Sequence, residues 1–363
     1  MSWFYALCGF AALILLHEFG HFAAAKAVGM RVERFSLFFP PLIGRIRRGE
    51  TEYAIGAVPL GGYVKITGMN PAEEIPPEIA HRAYYRQPVW KRVVVIAAGP
   101  VMNVIVAFLI LFVLFSIKGV PTNDPSSRVG AVESGYPAAG VLHAGDRIVA
   151  IDGKRLKPEE YTKQIASHKC AGKPVKGCEA TTPVKLTISH DGKERTVSLT
   201  PIFDPQVEPP RNRLGFGFAQ AYKEVGVGEA STRAVTGMWG VTKATVNAVT
   251  KLVYDSESRK QVSGVVGQTT VVQETFKADQ IVNAFLLLAL ISLSLAIVNL
   301  FPFLPLDGGH IFWAVAEKVR GRAIPFRVME QASVVGFVLV IALFAIGLTN
   351  DINRLSGEGF GVR

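Results

Sequence analysis

Apolar positions in this chain fall in blocks rather than stripes. Residues 93–117 run for 25 positions without a charged side chain, 283–301 form a second such run, and 332–348 a third, shorter one. About 20 apolar residues in an α-helix cross the roughly 30 Å of a bilayer's hydrocarbon. A soluble core helix of that length keeps a polar face, which these runs lack. Each run therefore predicts a membrane span. A fourth apolar block occupies 3–16 and invites comparison with a secretory leader. No basic residue precedes it, and its apolar character continues through His17, Glu18 and His21 into Phe22 and three alanines, with no cleavage site. We read it as a retained first span carrying three ionisable groups. Such groups are costly in a membrane helix and are functional candidates by default.

Between the spans the pattern shortens. The predicted order is a first span (1–25), a loop with a β segment (26–92), a second span (93–117) and a globular domain (122–204). An amphipathic, membrane-surface segment (205–281), a third span (282–302), a loop (303–331), a fourth span (332–349) and a tail (350–363) follow. Residues 52–67 are strand-like, and Pro59, Gly61 and Gly62 punctuate them as a hairpin or bulged strand. Residues 70–77 read as an acidic, proline-rich loop. In the globular stretch, 147–151 and 184–189 are strand patterns, with turn signals at Asp152-Gly153 and Asp191-Gly192. Val235, Met238, Thr242, Val246, Val249 and Val253 recur at near-helical spacing beside Arg233, Lys243 and Lys251. That helix suits either a membrane surface or the protein's own domain.

Composition agrees with a membrane protein: 49% of residues are hydrophobic and 19% charged. The net charge of +10 points to the bilayer rather than to nucleic acid, because no basic patch is interleaved with exposed aromatics. Residues 26–92 hold eleven Lys/Arg, clustered near the spans as Lys26, Arg31 and Arg34 and as Arg82, Arg86, Lys91 and Arg92. Lys318, Arg320, Arg322 and Arg327 lie between the last two spans. The positive-inside rule then puts both loops in the cytoplasm, and both termini and the globular domain outside, in a multi-pass protein of the cell's inner (plasma) membrane. Cys8 lies in the first span; Cys170 and Cys178 fall outside, where either a disulfide or two free thiols is chemically permitted.

His17-Glu18-Phe19-Gly20-His21 is an HExxH sequence. Residues four apart share a helix face, so both imidazoles reach one metal ion, and Glu18 is placed as general base for a water which that ion acidifies. A catalytic zinc site needs a third protein ligand. Asp307, just past the third span and its helix-breaking Pro302 and Pro305, ends on the same side of the bilayer as the two histidines. His310, after two glycines, is a weaker choice.

These features together resemble the site-2 protease family, and its bacterial branch that cleaves anti-sigma factors. The resemblance rests on HExxH in the first span, Asn299 and Leu306-Asp307-Gly308 at the third, and Pro59-Leu-Gly-Gly-Tyr-Val-Lys65. It rests also on Gly99-Pro-Val-Met-Asn103 in the second span, and on a stretch from Tyr136 to Gly153, with Ala144-Gly-Asp-Arg-Ile148, similar to the core of a PDZ domain. It implies a polytopic α-helical membrane protein of four transmembrane helices, with a membrane-associated β segment and an inserted extracytoplasmic PDZ domain of α+β fold. It further implies a zinc endopeptidase with Zn2+ on His17, His21 and Asp307 and with Glu18 catalytic, its active site towards the cytoplasmic side. Asn299, Gly61, Gly62 and Tyr63 would hold the substrate backbone extended. Substrates would be single-span membrane proteins, anti-sigma-factor-like and already trimmed outside. The PDZ domain would bind a peptide or chain end, or act as a size filter. In one respect the chain departs from members of the branch that carry two PDZ domains in tandem: only one such stretch is found here, as in the branch's single-PDZ members.

Overall fold

The computed structural model describes residues 2–70, 73–190, 192–255, 281–322 and 324–356. The Asp191 half of one predicted turn, part of the 70–77 loop, the end of the amphipathic segment and the last residues of the tail lie outside them. The chain divides into two compact units, Met1–Leu114 with Ser231–Arg363, and Phe115–Ala230.

The first unit is helical. Helices α1 (Ser2–Ala27) and α2 (Val89–Lys118) precede the second unit. After it come α4 (Val227–Tyr254), α5 (Ile281–Asn299), α6 (Asp307–Arg320) and α7 (Phe326–Ser356). Four of the described helices are long and apolar enough to cross a membrane, over Cys8–Ala27, Val89–Lys118, Val282–Asn299 and Arg327–Asn353. They coincide with the four runs predicted to span, with different ends. The fourth is a helix of 31 residues rather than a short span. Arg327, Glu330 and Asp351 interrupt its apolar run without ending the helix, because a charged side chain is no helix breaker. The predicted loop 303–331 instead contains α6, whose end is set by Gly321 in the left-handed region at φ 73°.

Strands β1 (Val32–Arg48) and β2 (Thr51–Ile66) form the β segment. The pairing is more than a hairpin. Residues 34–37 of β1 are flanked on one side by 52–55 and on the other by 62–65, and 44–48 turn back onto 51–55. Residues 62–66 are thus left as an edge of this sheet among the described residues. The sheet is anchored to the helices through a core of Ala25, Met30, Val32, Ile66, Tyr84, Val95 and Ile96. Arg92 of α2, buried at 8% exposure, holds Glu317 of α6 through both Nη atoms at 2.9 and 2.7 Å. Breaking such a pair leaves a buried charge and costs about 3 kcal/mol or more.

The amphipathic reading of residues 205–281 needs dividing. Part of it forms strands of the second unit, and α4 is a helix with Met238 buried beside Ala107 of α2 and Leu293 of α5. One face of α4 therefore packs on two of the long apolar helices, where Ala234 and Met238, one turn apart, offer a low-relief stripe. Val235, Trp239 and Val246 remain exposed.

The second unit is a five-stranded antiparallel sheet in the order β6-β5-β4-β3-β9. Its strands are β3 (Val120–Val132), β4 (Arg147–Ile151), β5 (Val184–His190), β6 (Lys193–Leu199) and β9 (Phe216–Lys223). A two-stranded ribbon of β7 (Ile202–Asp204) and β8 (Arg211–Arg213) accompanies them. Helix α3 (Pro158–Ala166) contributes Tyr161 and Ile165 to a core with Val129, Leu142, Ile148, Ile151, Val184, Leu186 and Ile188. The predicted limit at 204 is too early, since β9 pairs with β3 and closes the sheet. Cys170 and Cys178 are joined in a disulfide.

Candidate metal centre

The two histidines of α1 are buried, four residues apart on one face. Each is held by α2 through its Nδ1. His21 Nδ1 donates to the Val95 carbonyl at 2.8 Å, and His17 Nδ1 faces the side-chain amide of Asn103 at 3.1 Å. Both Nε2 atoms are thereby aimed at one point, 3.3 Å apart. The third corner is Asp307, whose Oδ2 lies 3.2 Å from His17 Nε2 and 3.4 Å from His21 Nε2.

Asp307 arrives there because α5 ends at Asn299 and the chain turns through two prolines into the first residue of α6. The two glycines after it are required by packing rather than by a turn. A Cβ on Gly308 would collide with the Leu300 and Phe301 carbonyls, and one on Gly309 would meet the Leu304 nitrogen at 2.5 Å.

This set of donors fits a metal ion. Asp307 Oδ2 is buried and has no hydrogen-bond partner. With its Nδ1 donating to a carbonyl, neutral His21 presents a bare lone pair at Nε2. Lone pairs of like polarity converging at 3.2–3.4 Å repel unless a cation lies among them. Ligands in a tetrahedron with bonds of about 2.0–2.1 Å stand about 3.3–3.4 Å apart. All three edges are close to that spacing. Among the described residues these three form the one group with metal-binding proximity, their donor atoms all within 4.8 Å of one another.

The donors open onto a cleft of about 240 Å³, lined by His17, Glu18 and His21 of α1, by Gly62 and Tyr63 of β2, and by Asn299, Asp307 and His310. The free edge of the β segment runs directly past Glu18: a Cβ on Gly62 would lie 2.8 Å from Glu18 Cγ and 3.0 Å from the Ser36 carbonyl. Tyr63 stacks on Phe39 at 5.9 Å and accepts a hydrogen bond from Arg34. The Asn299 amide nitrogen is 3.4 Å from His17 Nε2, so this side chain faces the donors themselves. Gly61 is the exception among the predicted residues. It does not line the cleft, and a Cβ added there would meet the Phe39 ring at 2.8 Å. His310 lines the cleft without being one of the three donors; burial pushes its imidazole down, against the pull of Asp307.

Sequence reasoning assigned no role to α2 in this site. Val95, Gly99 and Asn103 follow at intervals of four and so share one helix face. They supply a carbonyl to His21, a hollow for its ring and an amide to His17. A Cβ on Gly99 would fall within 2.8 Å of three atoms of the His21 ring. Gly20 matches it from α1, where a Cβ would stand 2.4 Å from the Ala98 carbonyl oxygen. The two helices meet without intervening side chains at Gly20 and Gly99, where the HExxH sequence needs support.

The profile of peptidase family M50 matches residues 5–343. A protein of Rhizobium meliloti bearing a zinc-metalloprotease name is 30% identical over 365 residues, covering 95% of this chain and 94% of that one. Zinc metalloprotease Rip1 of Mycobacterium tuberculosis is 30% identical over 382 residues, covering 93% and 94%. Among solved structures, the PDZ domain of an SdrC-like protein from Listeria innocua is 27% identical. It covers 28% of this chain and 99% of that one, with a TM-score of 0.21.

Proposed function

Since the chain belongs to peptidase family M50, the zinc metalloproteases of site-2 type, we propose that it hydrolyses peptide bonds within the membrane segments of single-span proteins. The observation that carries this reading is the triangle of His17 Nε2, His21 Nε2 and Asp307 Oδ2, with Glu18 beside it, on helices built to cross a bilayer.

His17, His21 and Asp307 would hold the zinc ion, two imidazoles and one carboxylate being a donor set suited to catalytic zinc. Zinc, when bound, supplies the Lewis acidity that lets a water lose its proton near neutral pH. Glu18 takes that proton and returns it to the departing amine nitrogen. The edge at Gly62–Tyr63 receives the substrate as an added strand, with Asn299 opposite it. A peptide bond inside a helix is shielded and internally hydrogen-bonded, so a transmembrane segment has to unwind before attack. An open sheet edge offers the backbone partners that an unwound segment needs in a dry environment.

Residues 26–88 and 300–325 face the cytoplasm in this reading, supported by the Lys and Arg residues next to the spans. The unit at 115–230 is an extracytoplasmic PDZ domain; its five-stranded sheet, its helix α3 and its disulfide suit that fold and an oxidising compartment. It selects substrates already shortened outside, anti-sigma factors among them, by capturing a new chain end or by excluding bulky domains.

The test is cleavage of a single-span substrate by purified protein in detergent, beside Glu18→Gln. Wild type should yield a product and contain one zinc, whereas Glu18→Gln should retain the zinc and yield none. Equal product from both, or a folded wild type devoid of zinc, would refute the reading.

A further inference from the structure

His21 has an unambiguous anchor, since a carbonyl can only accept, and its Nδ1 must carry the proton. His17 faces a group that can do either. Asn103 is completely buried in α2, with its backbone carbonyl fixed by the Ser292 hydroxyl of α5 at 2.9 Å. Its Nδ2 stands 3.1 Å from His17 Nδ1, while its Oδ1 is buried with no donor facing it. Set that way, the amide donates to a bare Nδ1, and the ring's single proton goes to Nε2. That is the one nitrogen which must be unprotonated to bind an ion beside Asp307. The setting also wastes a buried acceptor, at a cost of about 1–3 kcal/mol. A half-turn about Cβ–Cγ exchanges the amide's oxygen and nitrogen with almost no change of shape. It places Oδ1 on Nδ1, where the oxygen accepts the ring proton.

Resting on the zinc reading of the site, we propose that Asn103 is the positioning residue of His17. Its amide oxygen accepts the Nδ1 proton, fixes the imidazole in the tautomer with a free Nε2, and makes α2 the common support of both histidine ligands. Asn103 touches neither substrate nor reacting atoms; it acts through His17. Val95 and Asn103 are then equivalent in function, one acceptor for each ring, two helical turns apart on the same face. An outer partner of this kind typically changes metal affinity 10–100-fold.

The test measures zinc affinity of the purified full chain in detergent, by competition with a chromophoric chelator. Asn103→Leu removes the acceptor at similar size, and Asn103→Asp presents oxygens alone. Ser292→Ala removes the neighbouring packing bond while leaving the amide in place. The expected result is a 10–100-fold loss for Asn103→Leu, with wild-type affinity or better for Asn103→Asp and for Ser292→Ala. Asn103→Ser, whose hydroxyl is too short to reach the ring, replaces the leucine variant if that does not fold, with the same loss expected. Equal affinity of the leucine or serine variant and wild type would overturn the proposal. So would an aspartate variant as weak as the leucine one, which would assign Asn103 a packing role. Absence of zinc from wild type would instead remove the metal reading beneath it.

Discussion

Gly99→Ala adds one methyl group to a membrane helix, a change that helix propensity favours by about 1 kcal/mol. In this protein the site should lose its metal. The new Cβ would stand 2.5 Å from His21 Cε1 and 2.8 Å from Cδ2, and closer still to Nε2, where ordinary contact begins at 3.4 Å. The ring has to retreat by about 1 Å. It cannot simply tilt, because Nδ1 is tied to the Val95 carbonyl at 2.8 Å. Zinc–ligand distances tolerate about 0.2 Å, so a displacement five times larger removes His21 as a ligand. Loss of an outer partner alone costs 10–100-fold in affinity; loss of a ligand should exceed about 100-fold.

The stability of the metal-free protein should move far less. Overpacking typically costs about 1–3 kcal/mol, and the propensity gain offsets part of that. Zinc titration against a competing chelator, paired with thermal melting of the apo protein, separates the two effects. Gly44→Ala, where an added Cβ meets nothing within 4 Å, is the matched control. A Gly99→Ala protein that binds one zinc within tenfold of wild type would show that α1 and α2 separate freely, and the rigid support described here would be wrong.

Gly62→Ala should show the opposite pattern. Its Cβ would press on Glu18 Cγ and the Ser36 carbonyl but on none of the three donors. Zinc affinity should hold while kcat/KM falls about 100-fold, as a misplacement near 1 Å can cost; lost zinc would refute it. A third prediction concerns acid. Glu50 binds Arg82 at 2.6 and 2.8 Å and Lys26 at 2.6 Å, and these partners, Arg82 foremost, hold its carboxyl at about 2 against an ordinary 4.5. A depressed folded-state value stabilises the fold above the unfolded value and is lost as pH falls through the folded one. Wild type should therefore melt higher than Glu50→Gln above pH 4.5, with the gap closing towards pH 2. A gap that stays constant down to pH 2 would refute the assignment.

The sequence made the donors of the metal centre legible and their support illegible, for a physical reason. His17, Glu18, His21 and Asp307 are ionisable groups in or beside apolar runs, and the desolvation each incurs marks it without any structure. Three of the four long helices were legible as uncharged runs and the first as an apolar run carrying ionisable groups, although their ends were not, since Arg327 or Asp351 can continue a helix as well as end it. The β3–β9 pairing was hidden because sheet closure joins residues almost a hundred positions apart. The helix α6 was hidden because Asp307-Gly308-Gly309 has the composition of a turn.

The support escaped for a deeper reason. It consists of a backbone carbonyl at Val95, missing side chains at Gly20, Gly62 and Gly99, and one neutral amide. Every residue carries a carbonyl, and glycine in a sequence signals turns and close contacts alike. The resemblance marked Gly99 and Asn103 without giving them a role, and the spacing of 95, 99 and 103 gains meaning once a partner helix is known to lie across it. The catalytic chemistry of this chain was therefore concentrated in residue types, whereas its precision depends on which atoms are absent. Substitutions at the glycines should accordingly separate metal binding, substrate positioning and folding more cleanly than substitutions at the ligands themselves.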